Sequence, residues 1–167
     1  PVNSFASRDN REVIEFLLKT VDGLGLSAKY DLMIDASAGD LWSDGGYRLP
    51  ITDGSVRTPE QFHGYWLDII REYGLRLLED PFREQDPESW TGLTTAQGSC
   101  WTIGDNFYSS SAARIEEGAA HRRTHGAVIK PNQAGTVTAV RRAVEACRKT
   151  GQAAITSHRS ISTEETF

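Results

Sequence analysis

The chain has 167 residues, 18 of them Lys or Arg and 23 Asp or Glu, for a formal charge of −5. That length suits one domain with a real core, and the mildly acidic balance argues against non-specific nucleic-acid binding. No apolar run approaches the roughly 20 residues that a membrane helix needs, so no membrane span is expected.

Secretory features are equally absent from the pattern: there is no basic start followed by an apolar stretch and a small-residue cleavage site. Cys100 and Cys147 have no metal-type spacing and read as reduced core fillers of a cytoplasmic protein. The start at Pro1 without an initiator Met, and the stop at Phe167 just after a dense motif, read as a piece of a longer polypeptide.

From Asp9, a candidate N-cap, the segment NREVIEFLLKTVDGLG repeats apolar residues at Ile14, Leu17, Leu18 and Val21, one face of a helix closed by glycines. YDLMIDA reads as a buried strand. GDLWSDGGYRLPITDGS is a turn-rich excursion, its Asp-Gly and Gly-Gly pairs marking reversals. Thr58, Pro59 and Gln61 start a second helix with capping-box spacing, and Phe62, Tyr65, Trp66, Ile69, Ile70 and Tyr73 form its buried stripe.

Beyond that helix the pattern alternates strand, loop and helix with a period of about 25 residues. Strands are expected near 75–79, 100–104, 126–130 and 152–156, and helices near 87–95, 111–118 and 136–149. The last helix is the best formed, with Val137, Val140, Ala143, Val144 and Cys147 on one face. Five strands joined by helical crossovers make an α/β fold with a parallel sheet, either open and doubly wound or part of a barrel. No linker divides residues 1–167, so they read as a single domain.

Charged residues recur where successive predicted strands end: Asp35, Glu79, Asp105, Lys130, and His158 with Arg159. A parallel (β/α) barrel carries its chemistry at that face, on the ends of several strands. Three carboxylates there repel one another unless a hard cation lies between them, and an all-oxygen donor set favours Mg²⁺, Mn²⁺ or Ca²⁺ over zinc. The competing reading is a solvated rim or a set of helix N-caps. Lys130, after the apolar AVI, has the setting of a general base beside a metal, or of a lysine that snorkels from the sheet edge. Arg159 with Ser160 can clamp a phosphate or carboxylate, or Arg159 can serve in a structural ion pair. His63, His121 and His125 receive no role. GDLWSDGGY and PNQAGT contain glycines but have neither Rossmann nor P-loop spacing.

Taken together, MIDASAGDLWSDGGYRL, LLEDPF, IGDN, IKPNQAGT, SHRS and TEETF resemble, in order, motifs of the enolase (phosphopyruvate hydratase) family. The resemblance covers nearly the whole chain. It implies the larger, second part of an enolase-type barrel, incomplete here, with the family's N-terminal capping domain, first barrel strands and last strand outside this chain. It also implies Mg²⁺ as cofactor and a lyase that interconverts 2-phosphoglycerate and phosphoenolpyruvate through a metal-stabilised enolate. The active species would be a cytoplasmic homo-oligomer, a dimer or higher, acting on a small phosphorylated carboxylate, with this segment alone inactive.

Carried over residue by residue, Asp35, Glu79 and Asp105 fall on the metal ligands and Lys130 on the base that removes the α-proton. His158, Arg159 and Ser160 fall on substrate contacts. Several positions depart from the family pattern. Val2 stands where the family's acid, a Glu of a Gly-rich motif, belongs, Asn106 replaces the second Asp of GDD, and SHRSIS replaces SHRSGE. The family's C-terminal lysine would lie beyond Phe167. These departures leave two other readings open: an enolase-like enzyme of phosphonate metabolism resembling carboxyphosphonoenolpyruvate synthase, and a non-catalytic enolase-derived binding protein.

Overall fold

A computed structural model of the chain describes residues 9–96 and 98–157. Helix α1 (Asn10–Gly23) starts at Asp9, whose carboxylate accepts the Arg11 backbone N–H at 3.0 Å. Strand β1 (Met33–Asp35) follows, and then a single 3₁₀ turn (Ala38–Leu41). The excursion is more ordered than its turn residues suggest. It folds into short antiparallel strands β2 (Trp42–Ser43), β3 (Gly46–Arg48) and β4 (Val56–Arg57), which form their own sheet in the order β2-β3-β4.

Helix α2 (Pro59–Tyr73) carries the expected capping box. Thr58 Oγ1 accepts the Gln61 N–H at 3.3 Å, and Gln61 Oε1 accepts the Thr58 N–H at 3.0 Å. After α2 come β5 (Leu77–Glu79), α3 (Pro87–Ala96), β6 (Trp101–Gly104), α4 (Ala112–Ala120) and β7 (Gly126–Ile129). A short helix α5 (Pro131–Ala134), α6 (Val137–Thr150) and β8 (Ala153–Thr156) complete the described chain.

The main sheet has five parallel strands in the order β1-β5-β6-β7-β8, which is chain order. Parallel neighbours joined through α3, α4 and α6 put helices against one face, and α4 and α6 pack on each other there. The buried core on that side includes Leu78, Leu93, Ile115, Ala127, Ile129, Ala143 and Cys147. The expected stripe of α2 is buried over Phe62, Tyr65, Trp66, Ile69 and Ile70, with Tyr73 partly so. Cys100 and Cys147 are both buried in the core.

Among the described residues the sheet does not close: β1 pairs only with β5, and β8 only with β7. This corrects the reading of YDLMIDA as a buried strand. Met33 is 45% exposed, because an edge strand has one hydrogen-bonded neighbour and this one has a bare face. Of the expected α1 face, only Ile14 is buried, while Leu17 and Leu18 are exposed and Val21 is partly buried. Among the described residues no helix is long and apolar enough to cross a membrane.

Candidate active site

Three of the strand-end residues are brought to one edge of the sheet by register alone. Asp35 and Glu79 are direct partners across β1 and β5, and parallel partners point to the same face. Ile103 is the partner of Glu79 on β6, so Asp105, two residues on, returns to that face. Lys130 directly follows β7 and caps α5.

The loop after β5 is anchored from both directions. The Asp80 N–H donates to Ile103 O at 3.0 Å, and Asp80 O accepts the Ala38 N–H at 2.9 Å. Beneath it lies an aromatic cluster. Tyr47 from β3 is fully buried and stacks on Phe62 with ring centroids 4.4 Å apart. The Tyr47 hydroxyl donates to Asp86 at 2.9 Å and accepts the Arg83 N–H, and burial pushes this phenol upward in pKa. Trp66 and Trp90 donate their indole N–H groups to Pro81 O (2.9 Å) and Arg83 O (3.1 Å). Arg83 lies over the Trp42 ring, 3.5 Å from its centroid. The excursion therefore buttresses the segment that bears Glu79.

Glu79 is buried, at 7% exposure, and burial pushes its carboxyl up to about 7. The negative charges of Asp35, Asp105 and Asp80 add to that rise, and the Lys130 ammonium opposes it. Asp35 is exposed, with one oxygen receiving the backbone N–H and the hydroxyl of Ser37, both at 3.2 Å. Asp105 is buried. One of its oxygens receives the Lys130 ammonium in a short ion pair, and the other receives the Gln133 amide at 3.0 Å.

Asp80, Ser110 and Gln133 belong to this constellation without having been singled out beforehand. Asp80 is 3% exposed, sits at φ 43°, and accepts the N–H groups of Asp105 (2.9 Å) and Asn106 (2.8 Å). Burial raises its carboxyl to about 6 against the pull of those two hydrogen bonds. Two of the three stood inside quoted motifs, Asp80 in LLEDPF and Gln133 in IKPNQAGT, and the burial of Asp80 was the missing clue. Nothing in the run of serines at 109–111 marked Ser110.

The donor set suits a hard divalent cation, being carboxylate oxygen alone, with a buried Glu79 whose charge lacks full compensation. Among the described residues, however, no three His, Cys, Asp or Glu side chains converge tightly enough to hold an ion. The Asp105 oxygens are instead engaged by Lys130 and Gln133. Val2, His158, Arg159 and Ser160 lie outside the described residues. A cavity of about 530 Å³ is lined by Glu84, Asn106, Phe107, Arg114, Glu117 and Arg123 among others, and by none of the strand-end candidates.

Residues 5–167 match the family model of the enolase C-terminal TIM barrel domain. The enolase of Saccharolobus solfataricus is 30% identical over 95% of this chain, that of Beutenbergia cavernae 31% over 94%, and that of Acidothermus cellulolyticus 34% over 94%. The chain spans only 37–38% of the length of these relatives. The parallel, incomplete sheet with its carboxylates and lysine at one edge agrees with the match in sequence: this chain belongs to the enolase family, within that family's C-terminal barrel domain.

Proposed function

We propose that this chain forms part of a Mg²⁺-dependent, enolase-type lyase that interconverts 2-phosphoglycerate and phosphoenolpyruvate. Asp35, Glu79 and Asp105 would hold the cation, and Lys130 would be the base. The observation that carries the reading is the Lys130–Asp105 ion pair beside the buried Glu79 on adjacent strand ends. A bound Mg²⁺ would supply Lewis-acid compensation for the charge that gathers on the substrate carboxylate as its α-carbon loses a proton.

The C3 hydroxyl would leave as hydroxide and take its proton from an acid elsewhere in the complete protein, because Val2, at the family acid's position, carries none. The chain's own groups account for the α-proton. As a neutral amine Lys130 accepts it from the α-carbon; as the ammonium that now donates to Asp105 it returns it in the reverse direction. The β6–α4 loop and the aromatic cluster keep the strand-end groups fixed while this happens. Arg159, His158 and Ser160 would contact the phosphate and carboxylate of the substrate. The working enzyme would be a cytoplasmic homo-oligomer.

Two variants in the complete protein test this. Glu79→Gln removes one anionic ligand, so Mg²⁺ should no longer raise the melting temperature and lyase activity should vanish with it. For the wild type, Mg²⁺ at a hundred times its dissociation constant should add about 2.7 kcal/mol. Full activity in excess chelator would overturn the metal assignment, and full activity of Lys130→Ala would overturn the base.

A further inference from the structure

Behind the Lys130–Asp105 pair runs a hydrogen-bonded chain whose direction is dictated by its donors. The Lys130 backbone N–H can only donate, and it does so to Ser110 Oγ at 2.8 Å. The single hydroxyl proton of Ser110 then goes to Gln133 Oε1, which at 2.7 Å is much nearer than Val128 O at 3.4 Å. With its carbonyl oxygen so engaged, the Gln133 amide must turn its NH₂ the other way, and there it donates to Asp105 Oδ1 at 3.0 Å. The Lys130 ammonium closes the ring on Asp105 Oδ2.

The serine is not a casual surface contact. Ser110 is 2% exposed and sits at φ 55°, in the left-handed region that serine seldom adopts. Its hydroxyl has two well-placed partners from the far side of β7, one on the backbone of the base and one on the amide that faces Asp105. The Asp105 carboxylate can only accept, so it calls for the NH₂ of the amide, and the Ser110 hydroxyl donates to the amide oxygen on the other side. The hydroxyl thereby holds the amide in the orientation that Asp105 requires.

We propose that Ser110 and Gln133 are positioning residues that form a polarised relay from the Lys130 backbone to the Asp105 carboxylate. The relay sets the orientation of Asp105, and with it the affinity of the site for a divalent cation. This rests on the proposed lyase reading of Lys130 and Asp105. Gln133 holds one Asp105 oxygen and Lys130 the other, so Asp105 would reach a bound cation already oriented by the amide. Outer partners of this kind are typically worth 10–100-fold in metal affinity.

The test uses the complete protein, with Mn²⁺ as the probe and its electron paramagnetic resonance signal as the measure of binding. Ser110→Ala and Ser110→Gly should each weaken Mn²⁺ binding by about tenfold or more. The glycine variant relieves the left-handed backbone, so if strain alone mattered it would bind like the wild type. Gln133→Leu should weaken binding at least as much. The double variant Ser110→Ala/Gln133→Leu should be no worse than Gln133→Leu alone, because the serine acts through the glutamine.

A second readout needs no metal. The ¹⁵N-labelled Gln133 side-chain amide should be protected from solvent exchange in the wild type and lose that protection in both Ser110 variants. Unchanged Mn²⁺ affinity in the Ser110 variants, or losses that multiply in the double variant, would overturn the proposal. A wild-type protein that binds no Mn²⁺ would instead overturn the lyase reading and the cation half of the proposal, and the amide protection would still decide whether the relay exists.

Discussion

Glu79 and Asp80 are adjacent buried carboxyls whose ionisation is opposed by burial first and by neighbouring charge second. Their folded-state values, about 7 and about 6, lie above the ordinary range near 4. Between about pH 4 and pH 7 these two groups therefore hold more protons in the folded chain than in the unfolded one, and the stability they contribute falls as pH rises. A metal-free urea titration should lose stability on the order of 1–3 kcal/mol across that window. Glu79→Gln should flatten the slope, and a saturating divalent cation should do the same. Asp80→Ala is a different kind of change, because it strips both acceptors from the Asp105 and Asn106 N–H groups. Leaving the buried Asp105 N–H unpaired should cost about 1–3 kcal/mol by chemical denaturation, whereas the N–H of the exposed Asn106 can turn to water. The strand-end residues themselves could be read from the sequence, since a charge that ends an apolar run is visible there. What Asp80 accepts was not, because its partners lie 25 and 26 positions away.

Among the elements, α4 shows how closely this sheet is covered. Tyr108 is fully buried, its hydroxyl bonded to Thr124 Oγ1 at 2.7 Å, and a Cβ at Gly118 would overlap that hydroxyl. Gly118→Ala should therefore destabilise the fold by about 1–3 kcal/mol in a thermal or urea melt, although alanine is the better helix former. In the excursion, Tyr47→Ala would empty the middle of the aromatic cluster and should cost about 3–5 kcal/mol, with loss of cation binding as the loop bearing Glu79 loosens. Helices α2 and α6 were legible because caps and apolar spacing are local properties, as Thr58 and Gln61 show for α2 and Val140, Ala143 and Cys147 for α6. The sheet β2-β3-β4 was not. Its strands are two or three residues long, too short for any alternation, and Tyr47 belongs to them through contacts with Phe62 and Phe82 far along the chain. His125 was likewise passed over. Its Nδ1 accepts the Thr102 N–H at 3.1 Å, which makes it a neutral imidazole with the proton on Nε2, used to tie β6 to the turn before β7.

Across the whole molecule, parallel strands in chain order follow from the strand–helix alternation, because sequential crossovers place neighbours side by side. Exposure did not follow: Met33, Leu17 and Leu18 have the apolar character of buried positions yet are exposed among the described residues, since burial depends on what lies opposite rather than on the local pattern. Lys130, placed at the strand ends beside Asp105, is the group proposed to move the α-proton of a phosphorylated carboxylate. The most direct test of that role follows the hydrogen at C2 of 2-phosphoglycerate by NMR in deuterated water, using the complete protein with Mg²⁺. The wild type should exchange that hydrogen for deuterium, and Lys130→Ala should slow the exchange by roughly 10²–10⁴-fold while still binding Mg²⁺. Exchange at the wild-type rate in Lys130→Ala would contradict the account.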